Sequence, residues 1–356
     1  MRPVVVTSEY KPSVTEAAPR SILFIIVSRI GDSLFATPAI RAVARAYPQA
    51  KITVLGHPKR AEVFQNLRGV TRVGSITKGR ALLKGRLGGK PYDLAFVTGF
   101  DRPLVAYAQR VSRRVVAFAQ GDPALDAKLT PAVPLPPFQS EHAVLQLLRL
   151  PEAVGVASAG LRLGFSLTAE EVLEARQRLA AVSLSQHRPL IGLQVASFPT
   201  KAYRDWPIEH FRDLCDRISA RWPEGRFLIF GGPEEKERTH WLAAALGSRA
   251  ALFAGHLTLR QTAGLMSQID LYVGIDTGPT HIMSAFDKPM VAMYHCLSSS
   301  HLTGPLEHPC AYLLNHPALG TDRCCETSHM GEISVDQVFA LVEKALAPQF
   351  PEQGAR

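Results

Sequence analysis

Leu271-Tyr-Val-Gly-Ile275-Asp276-Thr277-Gly278-Pro279-Thr280-His281 decides how this chain folds. An apolar run suited to a buried strand passes directly into a glycine-proline turn, and residues 279–286 then carry helical spacing. Gly278 allows close approach of a backbone, and Pro279 pre-sets the first helical turn. The free N–H groups of that turn point outward with the positive end of the helix dipole, an arrangement suited to a pyrophosphate. Thr277 and Thr280 add hydroxyl donors. The plainer use of the same residues is a strand-to-helix turn capped by Asp276 or Thr277.

The alternation continues on both sides of this stretch. Residues 190–195, 226–230 and Met290–Tyr294 read as strands. Helical patterns fill 207–222, 234–246 and 258–267, the last opened by a Thr258-x-x-Gln261 capping box. Residues 334–346 close the chain as an amphipathic helix. In the first half, strands are expected at 22–27, 52–55, 70–76, 94–98 and 115–119. The turn Ser28-Arg29-Ile30-Gly31-Asp32 follows the first of them, and a helix is expected to restart with Thr37 as cap and Pro38 in its first turn. Residues 129–138 are proline-rich and read as an ordered loop. Strands separated by helix-length segments define an α/β protein of parallel β-α-β units. Two Rossmann-like domains are expected, at 1–165 and 166–356, with residues 1–20 as a polar extension. Ligands in such sheets bind outside the carboxyl ends of the strands, here expected in a cleft between the domains.

Composition sets the outer limits. The chain has 356 residues, 46% hydrophobic and 20% charged, which excludes wholesale disorder. Its longest apolar runs are far shorter than the roughly 20 residues of a membrane span. The five cysteines are odd in number and form no C-x-x-C pair, so neither a disulfide framework nor a zinc site is expected. The net charge of +9 is unevenly spread. Residues 1–165 hold 23 Lys and Arg against 10 Asp and Glu, a net +13, and the remainder is −4. An anionic partner for the first half is the natural expectation. Lys78, Arg80, Lys84, Arg86 and Lys90, with His57, Lys59 and Arg60 before them, lack interleaved aromatic residues. A lipid or phosphorylated sugar therefore fits them better than nucleic acid.

Further motifs sit at strand ends. Lys201 and Arg204 precede a helix start, where cations oppose the dipole unless they bind an anion. Glu235, after Gly231-Gly232-Pro233, either meets a ribose or favours the next helix's first turn. Asp32 either caps a helix or takes a proton from an attacking hydroxyl. No G-x-G-x-x-G follows the first strand, which weighs against a nicotinamide or flavin enzyme. His281, His295 and His301 fall near the first motif without an acidic partner pattern, and no metal site is expected.

Taken together, these motifs resemble glycosyltransferase family 9, the lipopolysaccharide heptosyltransferases. The resemblance runs from about Ser21 to Leu346. It includes Arg29-Ile30-Gly31-Asp32 with Thr37-Pro38-Ala39, Tyr92-Asp93-Leu94, Lys201 to Pro207, Gly231-Gly232-Pro233-x-Glu235, Asp276 to His281, and Met330-Gly-Glu-Ile333-Ser334-Val335. It implies a GT-B fold and a metal-independent, inverting transfer of heptose from ADP-heptose to the lipopolysaccharide inner core, without a cofactor. Asp32 matches the general base. Asp276, Thr277, Gly278, Pro279, Thr280 and His281 match the donor site, Lys201 and Arg204 the cation for the leaving diphosphate, and Glu235 the ribose contact. Arg29, Gly31, His57, Lys59 and Arg60 fall to the anionic lipid A-core acceptor. The implied setting is cytoplasmic, peripheral at the inner membrane, with no nucleic acid partner. Another GT-B nucleotide-sugar enzyme, an epimerase among them, and a non-catalytic sugar-nucleotide-binding protein are the alternatives. After Tyr294 the family carries glycine-proline-threonine or serine. Here His295-Cys296-Leu297 stands instead, followed by Ser298 to Ser300, a change that bears on the nucleotide or the sugar.

Overall fold

The computed structural model describes residues 17–86 and 88–350, so most of the expected polar extension lies outside the described residues. The chain divides into two units between Leu161 and Arg162, close to the 165–166 junction read from the sequence.

The first unit contains β1 (Ser21–Ile26), α1 (Ile30–Phe35), α2 (Thr37–Ala46), β2 (Lys51–Gly56), β3 (Arg72–Ser75), α3 (Lys78–Leu83), β4 (Tyr92–Val97), α4 (Arg102–Val111), β5 (Ser112–Phe118), α5 (Pro123–Asp126), β6 (Ala132–Val133) and α6 (Ala143–Glu152). Its strands lie in the order β3-β2-β1-β4-β5-β6 and are parallel throughout. The unbroken apolar run of β1 fits its central place, since Ile22 to Ile26 are buried on both faces. In β2, nearer the edge, burial alternates. Thr37 is not the cap that its sequence suggests. Ala36, itself helical, joins α1 to α2 and leaves no extended cap residue, so the Thr37 hydroxyl donates to the Leu34 carbonyl instead.

The second unit contains α7 (Ala169–Ala181), β7 (Leu190–Gln194), α8 (Ile208–Arg221), β8 (Arg226–Phe230), α9 (Lys236–Leu246), β9 (Ala250–Leu252), α10 (Leu259–Met266), β10 (Leu271–Ile275), α11 (Gly278–Met283), β11 (Met290–Tyr294), α12 (Ser300–Thr303), β12 (Ala311–Asn315) and α13 (Val335–Leu346). The order β12-β11-β10-β7-β8-β9 is again parallel throughout. Reciprocal capping boxes start α7 at Thr168, α10 at Thr258 and α13 at Ser334. The core packs Trp206, Phe211, Leu214 and Ile218 with Val291, Met293, Val338 and Val342. The strands β6, β9 and β12 escape the sequence pattern because they are edge strands, two of them very short.

Each sheet winds outward in both directions from a central pair, β1–β4 in one unit and β7–β10 in the other. The direction in which successive strands are added reverses between these two parallel strands, and the connections leaving their carboxyl ends part to opposite faces. A crevice opens there, so the fold itself marks two places for ligands.

Candidate active site

The second unit's switch point is closed by the motif that follows β10. Gly274 allows Tyr272 to lie along its own strand, since a Cβ at Gly274 would stand 2.5 Å from the Tyr272 hydroxyl. That hydroxyl meets Thr280 Oγ1 at 2.8 Å, and Thr280 Oγ1 also donates to the Ile275 carbonyl. The start of α11 is thereby tied to the strand it leaves. Thr277 holds the cap position without a side-chain bond to the helix. Asp276 does not cap it either. Its carboxylate is buried and accepts from Arg204 Nη1 at 2.9 Å, with His281 Nε2 at 3.3 Å. Burial would raise the Asp276 carboxyl. The bond from His281, the charges of His281 and Arg204, and the Ser298 hydroxyl outweigh that and hold it below its ordinary value.

Arg204 reaches Asp276 because its loop is fastened at both ends. Trp206 is fully buried and donates to the Ile333 carbonyl at 2.8 Å. Asp205 Oδ1 accepts from the Ser197 amide and hydroxyl at 2.8 and 2.7 Å. Burial raises the Asp205 carboxyl despite these bonds and the nearby Arg238. Lys201 takes a different course: its Nζ lies 3.4 Å from the Tyr203 hydroxyl and 5.3 Å from the ring centre. Arg204 Cζ lies 5.6 Å from the same ring centre, so the two cations share Tyr203 but only Arg204 is bonded to Asp276.

Glu235 Oε2 accepts from the Gly232 amide at 3.0 Å and from Gln194 Nε2 at 3.2 Å. Burial raises its pKa, and these two bonds oppose the rise. Gln194, at the carboxyl end of β7, was not singled out in the sequence, although it is the lone polar residue ending an apolar strand. Arg204 Nε, Gln194 Oε1 and the Tyr294 hydroxyl are buried with no hydrogen-bond partner. Such atoms are costly unless a ligand or water meets them.

The loop after β11 is organised around His295 and Cys296. His295 is buried, and its Nδ1 accepts from the Leu297 amide, so Nε2 carries the proton and donates to the Ser328 carbonyl at 3.0 Å. Burial lowers its pKa, consistent with a neutral ring. Cys296 is disulfide-bonded to Cys324, with Cα atoms 5.8 Å apart. This corrects the expectation that the cysteines form no bridge: the two lie 28 residues apart in sequence, and only the fold brings them together. His281 likewise has the acidic partner that the sequence pattern did not reveal, and His301 is exposed. Among the described residues no group of three or more His, Cys, Asp or Glu is placed to hold a metal ion.

In the first unit, Asp32 is exposed in the first turn of α1, past the cap position that Arg29 occupies. Its use as a cap is therefore set aside. Gly31 beside it is buried. The loops after β1 and β2 meet, because Ile26 and Gly56 are paired and Arg60 Nη1 donates to the Ser28 carbonyl at 3.3 Å. His57 Nδ1 accepts from the Lys59 amide at 3.2 Å. Slight burial lowers the His57 pKa, and the Arg60 and Lys59 charges lower it further. Arg29, His57, Lys59 and Arg60 thus lie on the adjoining segments that follow β1 and β2, with Asp32 in the first turn of α1 beside them, at the carboxyl ends of these strands.

Two doubly wound parallel sheets, each with a switch point at its centre, define a GT-B fold. The sequence profile of Glycosyltransferase family 9 (heptosyltransferase) matches residues 130–329, and the chain belongs to that family. It is 27% identical over 306 residues to lipopolysaccharide heptosyltransferase 2 of Salmonella typhimurium, covering 81% of this chain and 86% of that protein. The fold is similar to that of a family 9 glycosyl transferase from Veillonella parvula, with a TM-score of 0.80, 18% identity and coverage of 92% and 97%. It is also similar to that of the E. coli ADP-heptose lps heptosyltransferase II, with a TM-score of 0.77, 20% identity and coverage of 92% and 99%. The profile match takes in Lys201, Arg204, Glu235 and Asp276 to His281; Asp32 precedes it.

Proposed function

We propose that the enzyme moves heptose from ADP-heptose to the lipopolysaccharide inner core by a single inverting displacement. The observation that carries this reading is the buried Arg204–Asp276–His281 cluster at the β7–β10 switch point, with unpartnered buried polar atoms on Arg204, Gln194 and Tyr294. The acceptor hydroxyl oxygen attacks the anomeric carbon while the Asp32 carboxylate takes its proton. The bond from that carbon to the diphosphate oxygen breaks, and configuration inverts. No metal or cofactor is invoked. Lys201 and Arg204 neutralise the departing ADP, with the Gly278 and Thr280 amides and the Thr277 hydroxyl donating to it and Pro279 holding the turn that aims them. Asp276 and His281 position Arg204 for this task. Glu235 holds its turn through Oε2 and offers Oε1 to the ribose.

Arg29, Lys59 and Arg60, with Gly31 and His57, receive the phosphorylated core of the anionic glycolipid acceptor. The excess basic charge of the first half supports that assignment. The first unit is thus the acceptor domain and the second the donor domain, working at the cytoplasmic face of the inner membrane.

The test compares thermal stabilisation by ADP, UDP, GDP, CMP and NAD at equal concentration. A ligand at 100 times its Kd stabilises a fold by about 2.7 kcal/mol. A selective ADP shift is expected. Preference for UDP or GDP would overturn the donor assignment and direct attention to residues 295–300, the segment whose sequence differs from the family resemblance.

A further inference from the structure

We propose that α3 and the turn after it form a docking surface for an anionic phospholipid membrane. Ala81 is the one fully buried residue of α3, packed against Leu104, Val105, Ala108 and Val111. The following Leu82 and Leu83 face outward, 51% and 73% exposed. Two adjacent leucines on the solvated side of a short helix have no role in the unit's own core. Arg80, Lys84 and Arg86 flank them and are all exposed. Apolar residues set among cations match a bilayer surface, where the side chains enter the acyl boundary and the cations meet anionic headgroups.

A second observation concerns the helix end. The last carbonyls of a helix have no partner within it and resist transfer out of water. Here Arg110 donates to the Ala81 carbonyl and, at 3.2 Å, to the Lys84 carbonyl, while Arg86 Nε donates to the Leu82 carbonyl at 3.0 Å. Three acceptors at the tip, the carbonyls of Ala81, Leu82 and Lys84, are therefore met by guanidinium groups and can leave water without being orphaned. The opposite end is held by Lys78, paired with Asp101 at 2.5 Å, and by Thr77, whose side chain accepts from the Arg80 amide.

The proposal deepens the transferase reading, because an acceptor carried on lipid lies in a membrane. Its test is separate, since docking is read without any nucleotide. The protein is sedimented with vesicles of phosphatidylcholine alone and of phosphatidylcholine with about one third phosphatidylglycerol, at low and high salt. Binding is expected only to the anionic vesicles and should weaken as salt rises. Leu82→Ser with Leu83→Ser, and separately Arg80→Glu with Lys84→Glu, should each lower the partition coefficient by about tenfold or more. Both pairs spare Ala81, so melting temperature and ADP stabilisation should match wild type. Absent binding, equal binding to neutral vesicles, or variants that bind like wild type would overturn the proposal. So would a wild-type dimer in light scattering that the leucine variant dissolves, which would assign the surface to a second copy of the chain.

Discussion

Asp276 shows how one side chain can organise a site. It is buried, faces the Arg204 guanidinium and the His281 ring, and is held below the ordinary carboxylate range. Asp276→Asn leaves Arg204 without its counter-charge in a largely buried place, and a loss of about 3 kcal/mol is expected. A shift of the urea midpoint measures it; an unchanged midpoint would refute the pairing as a stabilising element. The pH dependence has a definite sign. Because folding lowers this pKa, its contribution is full above the unfolded value of about 3.9 and is lost as pH falls through the folded value. Glu235 and Asp205 act oppositely: burial raises them, so their contribution is full at acid pH and is lost as pH rises through their folded values. The asparagine variant should therefore show a shallower acid limb of stability than wild type. Asp32 lies at the other extreme, exposed and outside the core. Asp32→Asn should retain the ADP shift and lose about a thousandfold in kcat. Turnover near the wild-type rate would remove Asp32 from the role of base.

At the scale of elements, the site depends on how β10 hands over to α11. Tyr272 lies flat only because Gly274 has no side chain, and it then reaches Thr280 in the following helix. Gly274→Ala would force the ring away from Thr280 and disturb the turn that contains Asp276 to Gly278. A loss of about 1–3 kcal/mol in stability is expected, together with weaker nucleotide binding. Calorimetry with and without ADP checks both, and wild-type affinity in the alanine variant would show that the tie is dispensable. The pattern of apolar runs placed β10, α11 and their turn correctly from the sequence. It did not give the Tyr272–Thr280 bond, because which hydroxyl a tyrosine meets depends on how its ring lies on the strand.

At the scale of the whole molecule, Cys296–Cys324 ties the loop after β11 to the segment before α13. Closing a loop of 28 residues is expected to contribute about 3 kcal/mol by restricting the unfolded chain. Melting with and without a reductant tests this, and identical transitions would mean that the bridge does not form in solution. The division of charge belongs to the same scale: the basic excess lies in the first half, where the adjoining β1 and β2 loops and α3 are found.

The sequence by itself determined the two parallel α/β units, the loops at their strand ends and the family. Apolar runs, glycine-proline turns and capping boxes act over a few residues, and such local signals are written directly in the chain. The tertiary structure alone decided which of those loops meet. Arg204 with Asp276, Gln194 with Glu235, and Cys296 with Cys324 are pairs distant in sequence. Strand order and burial set their contacts. It also decided which of two neighbouring cations meets Asp276, since the packing of Trp206 and the turn at Asp205 bring Arg204 there while Lys201 rests on Tyr203.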